Sequence, residues 1–194
     1  QADPIELRRV SVLYPSGRAL HWRMLGDFRS TRIQPKISEF RGERLIEFEE
    51  REIKDLSLEP FIPGDYFPAR MMQFSEYGSW AEVSRWGMRL FETPTALPDE
   101  AVTQLSKLQQ LPTVEARVAA ALRWVQGEIR YFSVSLGESS HRPYPPTQVL
   151  SRRYGDCKDK TYLLVALLRE LGIEADPVFA SLRTPRTPAK LLPS

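Results

Sequence analysis

The spacing of apolar residues changes once along the chain, near Ser79, and this change constrains the fold most strongly. Before it, apolar and polar residues alternate, most clearly in IELRRVSVLY, RALHWRML and GERLIEFEEREI. Alternation predicts strands with one buried face. After Ser79, apolar residues recur every three or four positions, which predicts amphipathic helices. We therefore expect an α+β protein in which residues 5–78 form a β-rich, sandwich-like module and helices follow.

Three helices are expected between Ser79 and residue 132. Ser79 and Glu82 have the spacing of a capping box at the start of the first helix, and Thr93-Pro94 ends it. The segment LPDEAVTQLSKLQQLP predicts the second helix. Thr113 opens the third, TVEARVAAALRWVQGEIRYF, which carries a continuous apolar stripe.

The last third of the chain predicts a loop, a helix and a strand. SVSLGESSHRPYPPTQVLSRRYG is interpreted as a long irregular segment. A helix follows from Asp156 to Leu171, with Gly172 as the residue that ends it. IEADPVFASL is expected to be an edge strand interrupted by Pro177, and RTPRTPAKLLPS a loop.

Composition argues against several kinds of site. The chain has 194 residues, 1 cysteine, 2 histidines and a formal net charge of +2. A single cysteine excludes an internal disulfide and a cysteine-rich zinc site, and His21 and His141 are far apart in sequence, so we expect no metal and no cofactor. The small net charge argues against nucleic acid as a partner. No long apolar span predicts an integral membrane segment, and QADPIELRRV lacks the pattern of a signal peptide.

The only cysteine lies where a polar loop turns into a leucine-rich helix, in RRYGDCKDKTYLLVALLRELGIEA. Gly155 permits a tight turn, Asp156 is a strong N-cap candidate, and Asp159 occupies the third helical position, where a carboxylate is favoured. Cys157 is then the first residue inside the helix, near the positive end of the helix dipole and with a backbone N–H that has no partner in the helix. Both features favour a nucleophilic thiolate and a donor for an oxyanion.

Two interpretations of Cys157 stay open on these residues alone. From 152 to 160 four cations outnumber two carboxylates, which favours the thiolate. Cys157 also shares a predicted helix face with Thr161 and three leucines, so we expect the sulfur to face the packed side of the helix, where a histidine of a neighbouring strand could reach it. The same placement suits a small buried core residue, because free cysteine is one of the most buried residue types.

Residues 124–179 resemble the core of bacterial transglutaminase-like proteins, especially those that follow a β-module of the DUF3857 group. The likeness is carried by IRYFSVSLG, RPYPPTQVLSRRYGDCKDK and LLVALLRELGIEA, and, before the core, by VLYPSGRALHW and SEYGSWAEVSRWGMRLF. The resemblance implies three parts: the second half of a DUF3857-type module at 1–78, linker helices at 79–112, and the N-terminal part of a transglutaminase-like domain at 113–194. It also implies a papain-like fold, with the cysteine helix packed against an antiparallel sheet.

By the same resemblance Cys157 is the nucleophile, and Tyr131 is a candidate donor to the oxyanion. The family's histidine belongs to a strand after the GIEA segment and its acid to the next strand, but this sequence ends at LLPS, about where the histidine strand would begin. His141 precedes the cysteine and is interpreted as a loop residue, and Asp159 and Asp176 are in the wrong order for the acid. We therefore expect a domain truncated at its C-terminus, with little or no turnover.

Two functions remain. The first is a thiol acyltransferase, cysteine protease or amidase that acts on protein or peptide amides through a Cys157 thioester. The second is a non-catalytic module of the bacterial envelope that binds another protein. Similar proteins are often bacterial and extracytoplasmic, so a periplasmic location is expected by resemblance.

Overall fold

The computed structural model describes residues 5–26, 34–53, 61–63, 66–67, 70–91, 97–133, 136–180 and 187–194. The chain divides into two compact units, Gln1–Val83 with Ala180–Ser194, and Ser84–Phe179. These units are groups of residues in mutual contact, and the three-part division expected from the sequence stays a prediction. The α+β class is confirmed.

The first unit is built on two antiparallel sheets. Its five described strands are β1 (Ile5–Tyr14), β2 (His21–Leu25), β3 (Lys36–Phe40), β4 (Glu43–Ile53) and β5 (Met71–Ser75). One sheet has the order β1-β4-β3 and the other pairs β2 with β5. The alternating sequence is reflected most clearly in β1 and β4, where alternate residues are more covered than their neighbours along much of each strand.

Aromatic rings join the two sheets of the first unit. The ring of Phe48 on β4 lies 5.4 Å from that of Trp22 on β2 and 5.9 Å from that of Phe74 on β5, with an edge-to-face arrangement in both pairs. Glu50 is buried on the same face of β4 and forms ion pairs with Arg8 and Arg70. The predicted alternation of β4 is confirmed for its apolar residues, while Glu50 is an acidic residue on the buried side.

The helices and short strands follow in chain order. They are α1 (Trp80–Leu90), α2 (Asp99–Gln109), α3 (Val114–Glu128), β6 (Arg130–Tyr131), α4 (Pro146–Arg152), β7 (Tyr154–Gly155), α5 (Cys157–Glu170) and α6 (Thr187–Lys190), with a 3₁₀ turn at Gly137–Ser140. Ser79 Oγ accepts a hydrogen bond from Glu82 N at 3.3 Å and Thr113 Oγ1 accepts one from Ala116 N at 3.1 Å. The predicted N-cap of α1 and the predicted start of α3 at Thr113 are thereby confirmed. The predicted end of the first helix at Thr93-Pro94 lies outside the described residues.

The core of the second unit forms where α5 packs against α2, α3, α4 and β7. Its buried side chains come from all four helices: Ala101, Leu105, Val125, Ile129, Val149, Leu150, Leu163 and Leu167. A second cluster of Leu108, Ala121 and Leu168 extends it along the same helices. Among the described strands of this unit, β6 and β7 pair in parallel over two residues each, so helices cover most of α5 here.

Three expectations from the sequence are wrong. The segment interpreted as an irregular loop contains α4, which starts at Pro146 and buries Val149 and Leu150. A proline at the first position is compatible with a helix because its missing N–H has no acceptor there. Residues 173–180 form no strand, and the tail expected to be a loop contains α6. Among the described helices, every one is too short or too polar to cross a membrane.

Candidate active site

The start of α5 is fixed by two buried carboxylates that bond each other's backbone. Asp156 is the N-cap, and its side chain accepts from Lys158 N at 3.1 Å and Asp159 N at 3.5 Å. Asp159 Oδ2 accepts from Asp156 N at 3.0 Å, which completes the capping box. The predicted N-cap and the favourable carboxylate at the third position are confirmed. Together they satisfy most of the free N–H groups at this helix end.

Asp159 also holds the preceding loop, a role that the sequence did not reveal. Its Oδ1 accepts a hydrogen bond from Tyr144 N at 2.8 Å, although the two residues are 15 positions apart. Gly155 makes room for this carboxylate, because a Cβ at residue 155 would lie 2.8 Å from Asp159 Cβ. One carboxylate therefore ties the loop, β7 and α5 to each other.

Cys157 is exposed, and the prediction that its sulfur faces the packed side of the helix is wrong. The leucines of this stripe do pack, since Leu168 is buried and Leu164 and Leu171 lie against the two core clusters. Cys157 stands on the same side at the first position of the helix, where the core does not cover it. An exposed sulfur is open to a substrate, which argues against the interpretation of Cys157 as a core residue.

A short parallel strand pair brings Tyr131 next to the cysteine segment. Tyr131 on β6 pairs with Gly155 on β7, and Phe132 N donates to Gly155 O at 3.0 Å. The Tyr131 side chain is 61% exposed, so its hydroxyl is not consumed by the core. The backbone placement is compatible with the candidate role of Tyr131, which stays a prediction.

Two cations that bridge α5 and β7 to α2 and α3 complete the support of the site. Arg153 has a left-handed backbone (φ 58°) as the C-cap of α4, and its guanidinium pairs with Glu100 at 2.6 Å and Glu128 at 3.3 Å. Lys160 Nζ donates to Ile129 O at 2.5 Å, at the end of α3. Burial lowers the pKa of the Lys160 amine. Neither role follows from residue spacing, because each depends on which helices become neighbours.

These contacts leave few of the six charges of residues 152–160 available. Lys158 pairs with Asp156, Arg153 pairs with two glutamates, and Lys160 bonds backbone carbonyl groups. Both carboxylates are buried and accept backbone N–H groups. The cation of Arg152 lies 4.7 Å from the centre of the Tyr144 ring. The exposed charge near Cys157 is therefore positive.

His141 and Asp176, which the sequence argued against as catalytic partners, have contacts elsewhere. The ring of His141 lies 5.4 Å from that of Trp86, edge to face, in keeping with a packed loop residue. Asp176 pairs with Arg169 at 2.6 Å. Within the described part of the chain, no group of His, Cys, Asp and Glu side chains could hold a metal ion.

Residues 101–190 match the family model of the transglutaminase-like superfamily. This part of the chain is similar to that superfamily. The match contains most of α2 and all of α3 to α6, and so includes Cys157 and its two supporting carboxylates. The transglutaminase-like part of the resemblance is confirmed, while the DUF3857 part stays a prediction.

A solved structure is similar in fold. It is the crystal structure of a "putative protease" from Parabacteroides distasonis, with a TM-score of 0.71 and 17% sequence identity over 87% of the present chain. The alignment covers 32% of that protein, so the present chain spans about one third of its length. At this identity the likeness shows the fold alone. No curated protein matches the chain significantly.

Proposed function

We propose that Cys157 is the nucleophile of a transglutaminase-like acyl-transfer or hydrolysis reaction on protein or peptide amides. The observation that carries the proposal is an exposed sulfur at the first position of a capped, 14-residue helix inside the transglutaminase-like region. In such a reaction the thiolate attacks the amide carbonyl and the C–N bond breaks. The amine leaves with a proton, and a thioester remains until water or another amine takes the acyl group.

The capped helix start supports the attack step in two ways. The positive end of the α5 dipole stabilises negative charge that develops near it, and Asp156 and Asp159 hold the first turn. Among the described residues none accepts a hydrogen bond from Cys157 N, so this N–H is available to an oxyanion. Tyr131 is the proposed second donor.

The leaving amine needs a proton that these 194 residues are poorly equipped to supply. The only histidines are His21 and His141, and both precede Cys157. Because a nucleophile and its base act as a unit, a thiol without its base loses most of the rate. We propose that the 194-residue chain alkylates at Cys157 but turns over little or no amide substrate.

Alkylation of the single cysteine tests the nucleophile directly. Iodoacetamide labelling followed by mass spectrometry is expected to be about fivefold or more faster than that of N-acetylcysteine at pH 7, since the thiolate is the reacting form. Asp156→Asn is a matched variant that keeps the cap oxygen but removes its charge. Labelling no faster than that of N-acetylcysteine would refute the proposal and favour the non-catalytic binding module.

Ammonia release from a glutamine peptide tests the proposed lack of turnover. The 194-residue chain is expected to release no more ammonia than Cys157→Ala. Turnover that Cys157→Ala abolishes would contradict the proposed inactivity and would require a base within these residues.

We further propose that residues 1–78 are the second half of a DUF3857-type module and that the protein works in the periplasm of a bacterium. The support is the motif resemblance and a similar fold in a bacterial protein. Cell fractionation of the full-length protein tests the location, and a cytoplasmic signal would contradict it.

A further inference from the structure

Three exposed aromatic residues belong to segments that are bonded to the start of α5 or lie next to it in sequence. The rings of Phe132 and Tyr154 lie 5.5 Å apart, edge to face, and Phe132 N is bonded to Gly155 O. Tyr144 is tied to Asp159 through its backbone N–H. The three side chains are 37–47% exposed. Rings held in place at the surface are suited to contact a partner, because little conformational entropy is lost on binding.

Positive charge is concentrated in the same part of the chain. Residues 130–160 contain six cations and three anions, a net charge of +3, whereas the whole chain has a net charge of +2. Of these anions, Asp156 and Asp159 are buried and engaged. Among the described residues, three exposed arginines have no carboxylate partner: Arg130, Arg142 and Arg152.

Two of these arginines stand directly beside the rings. Arg130 pairs with Tyr154 across β6 and β7, and with a two-residue period its side chain shares a face with Phe132. Arg152 covers the Tyr144 ring at 4.7 Å. A guanidinium stacked in this way keeps its N–H groups free to bind a carboxylate. We call Arg130, Phe132, Tyr144, Arg152 and Tyr154 the basic aromatic face.

We propose that the basic aromatic face docks an extended acidic peptide segment, which flanks the amide that Cys157 attacks. The inference rests on the proposed function and adds a substrate class to it. Carboxylates of the segment pair with Arg130 and Arg152, and its aliphatic parts lie on the three rings. A long nucleic acid is the less suitable partner because the chain as a whole carries only +2. The face is not evident from the sequence, since its members come from three separate segments.

The single cysteine reports the charge of this face without any catalysis. Dithiobis(nitrobenzoate), which is anionic, and dithiodipyridine, which is neutral, both react with thiolates. Because both rates are proportional to the fraction of thiolate, that fraction cancels in their ratio, and the ratio reports the charge around the sulfur. At low ionic strength we expect the anionic reagent to be favoured about two- to fivefold over its ratio with N-acetylcysteine amide, which has no carboxylate. The preference is expected to vanish near 1 M salt, where the Debye length is about 3 Å.

Matched variants connect the effect to the face. Arg130→Gln and Arg152→Gln are expected to reduce the rate ratio. Arg123→Gln is the control, because Arg123 is exposed on α3 and lies on the helix side opposite to the buried Ala121 and Val125. A ratio equal to that of N-acetylcysteine amide, or equal losses in all three variants, would overturn the proposal.

Peptide binding tests the partner. Fluorescence anisotropy is measured with the whole chain and two fluorescent peptides of equal length, each with a central glutamine and flanked by either glutamates or serines. The glutamate peptide is expected to bind at least about tenfold more tightly, with most of the gain lost in Arg130→Gln/Arg152→Gln and kept in Arg123→Gln. Equal binding of both peptides, or tighter binding of oligo(dT) than of the glutamate peptide, would overturn the proposal.

The two proposals fail separately. Binding of the glutamate peptide does not need the sulfur, so Cys157→Ala is expected to bind it as the unchanged chain does. Slow iodoacetamide labelling together with selective peptide binding would refute the nucleophile and leave the docking face. Fast labelling without peptide selectivity would refute the docking face and leave the nucleophile.

Discussion

Replacing Asp159 with alanine removes one buried side chain that organises the candidate site. The carboxylate is 3% exposed and accepts from Asp156 N at 3.0 Å and Tyr144 N at 2.8 Å. Hydrogen bonds to a charged group contribute about 1.5–3 kcal/mol each, and the released cost of burying the carboxylate offsets part of the loss. We expect Asp159→Ala to lower the free energy of unfolding by about 3 kcal/mol. For a chain of this length, that loss corresponds to a fall of about 6–12 °C in Tm.

Urea unfolding followed by circular dichroism at 222 nm measures this loss, and hydrogen exchange locates it. The amides of Tyr144 and Asp156 are expected to exchange faster in Asp159→Ala. Asp176→Ala is the control, since Asp176 is an exposed carboxylate whose ion pair with Arg169 contributes less than about 1 kcal/mol. An equal, small loss in both variants, with Tyr144 and Asp156 still protected, would refute the role of Asp159 as the link between loop and helix.

Three further predictions concern other parts of the two units. Gly155→Ala is expected to destabilise the protein by about 1–3 kcal/mol, because its Cβ would lie 2.8 Å from the Asp159 side chain. Gly127→Ala has open space around it on α3 and is expected to stabilise the protein by about 0.5–1 kcal/mol. Thermal unfolding of the two variants checks this, and equal shifts in Tm would contradict it. Glu50→Ala leaves two partly buried arginines without their carboxylate and is expected to cost about 3–5 kcal/mol in urea unfolding. Exposed Glu49→Ala is expected to cost much less, and a similar cost for both would show that burial is not decisive. Burial lowers the pKa of Lys160, so between that pKa and 10.5 the unfolded chain binds more protons than the folded one. The stability of the unchanged chain relative to Lys160→Met is therefore expected to rise as the pH increases through this window. A stability difference that does not change with pH in urea titrations would contradict the assignment.

The sequence predicted the elements whose signals are local. Strand alternation placed β1, β2 and β4, and the caps Thr113 and Asp156 were visible because a capping side chain acts within three residues of itself. Gly172 has a φ of +72°, as expected for the residue that ends α5.

What the sequence did not predict depends on distant contacts. Cys157 is exposed although Leu168 on the same side of α5 is buried, so the spacing of residues around the helix does not show how far along it the core extends. The bond between Asp159 and Tyr144 and the Lys160 bridge to α3 join residues 15 and 31 positions apart. Such pairings are set by the packing of whole helices, so no local pattern identifies them.

The stretch between Phe132 and Tyr144 is anchored at both ends, by Gly155 O and by Asp159 Oδ1. Its two ends are thus fixed to the cysteine segment by bonds that do not depend on the residues in between. Closing a longer loop costs little extra entropy, only about 0.6 kcal/mol for each doubling of length. This stretch can therefore be exchanged for one of different length or composition while the sulfur keeps its position, which makes it a natural place to graft a new recognition sequence.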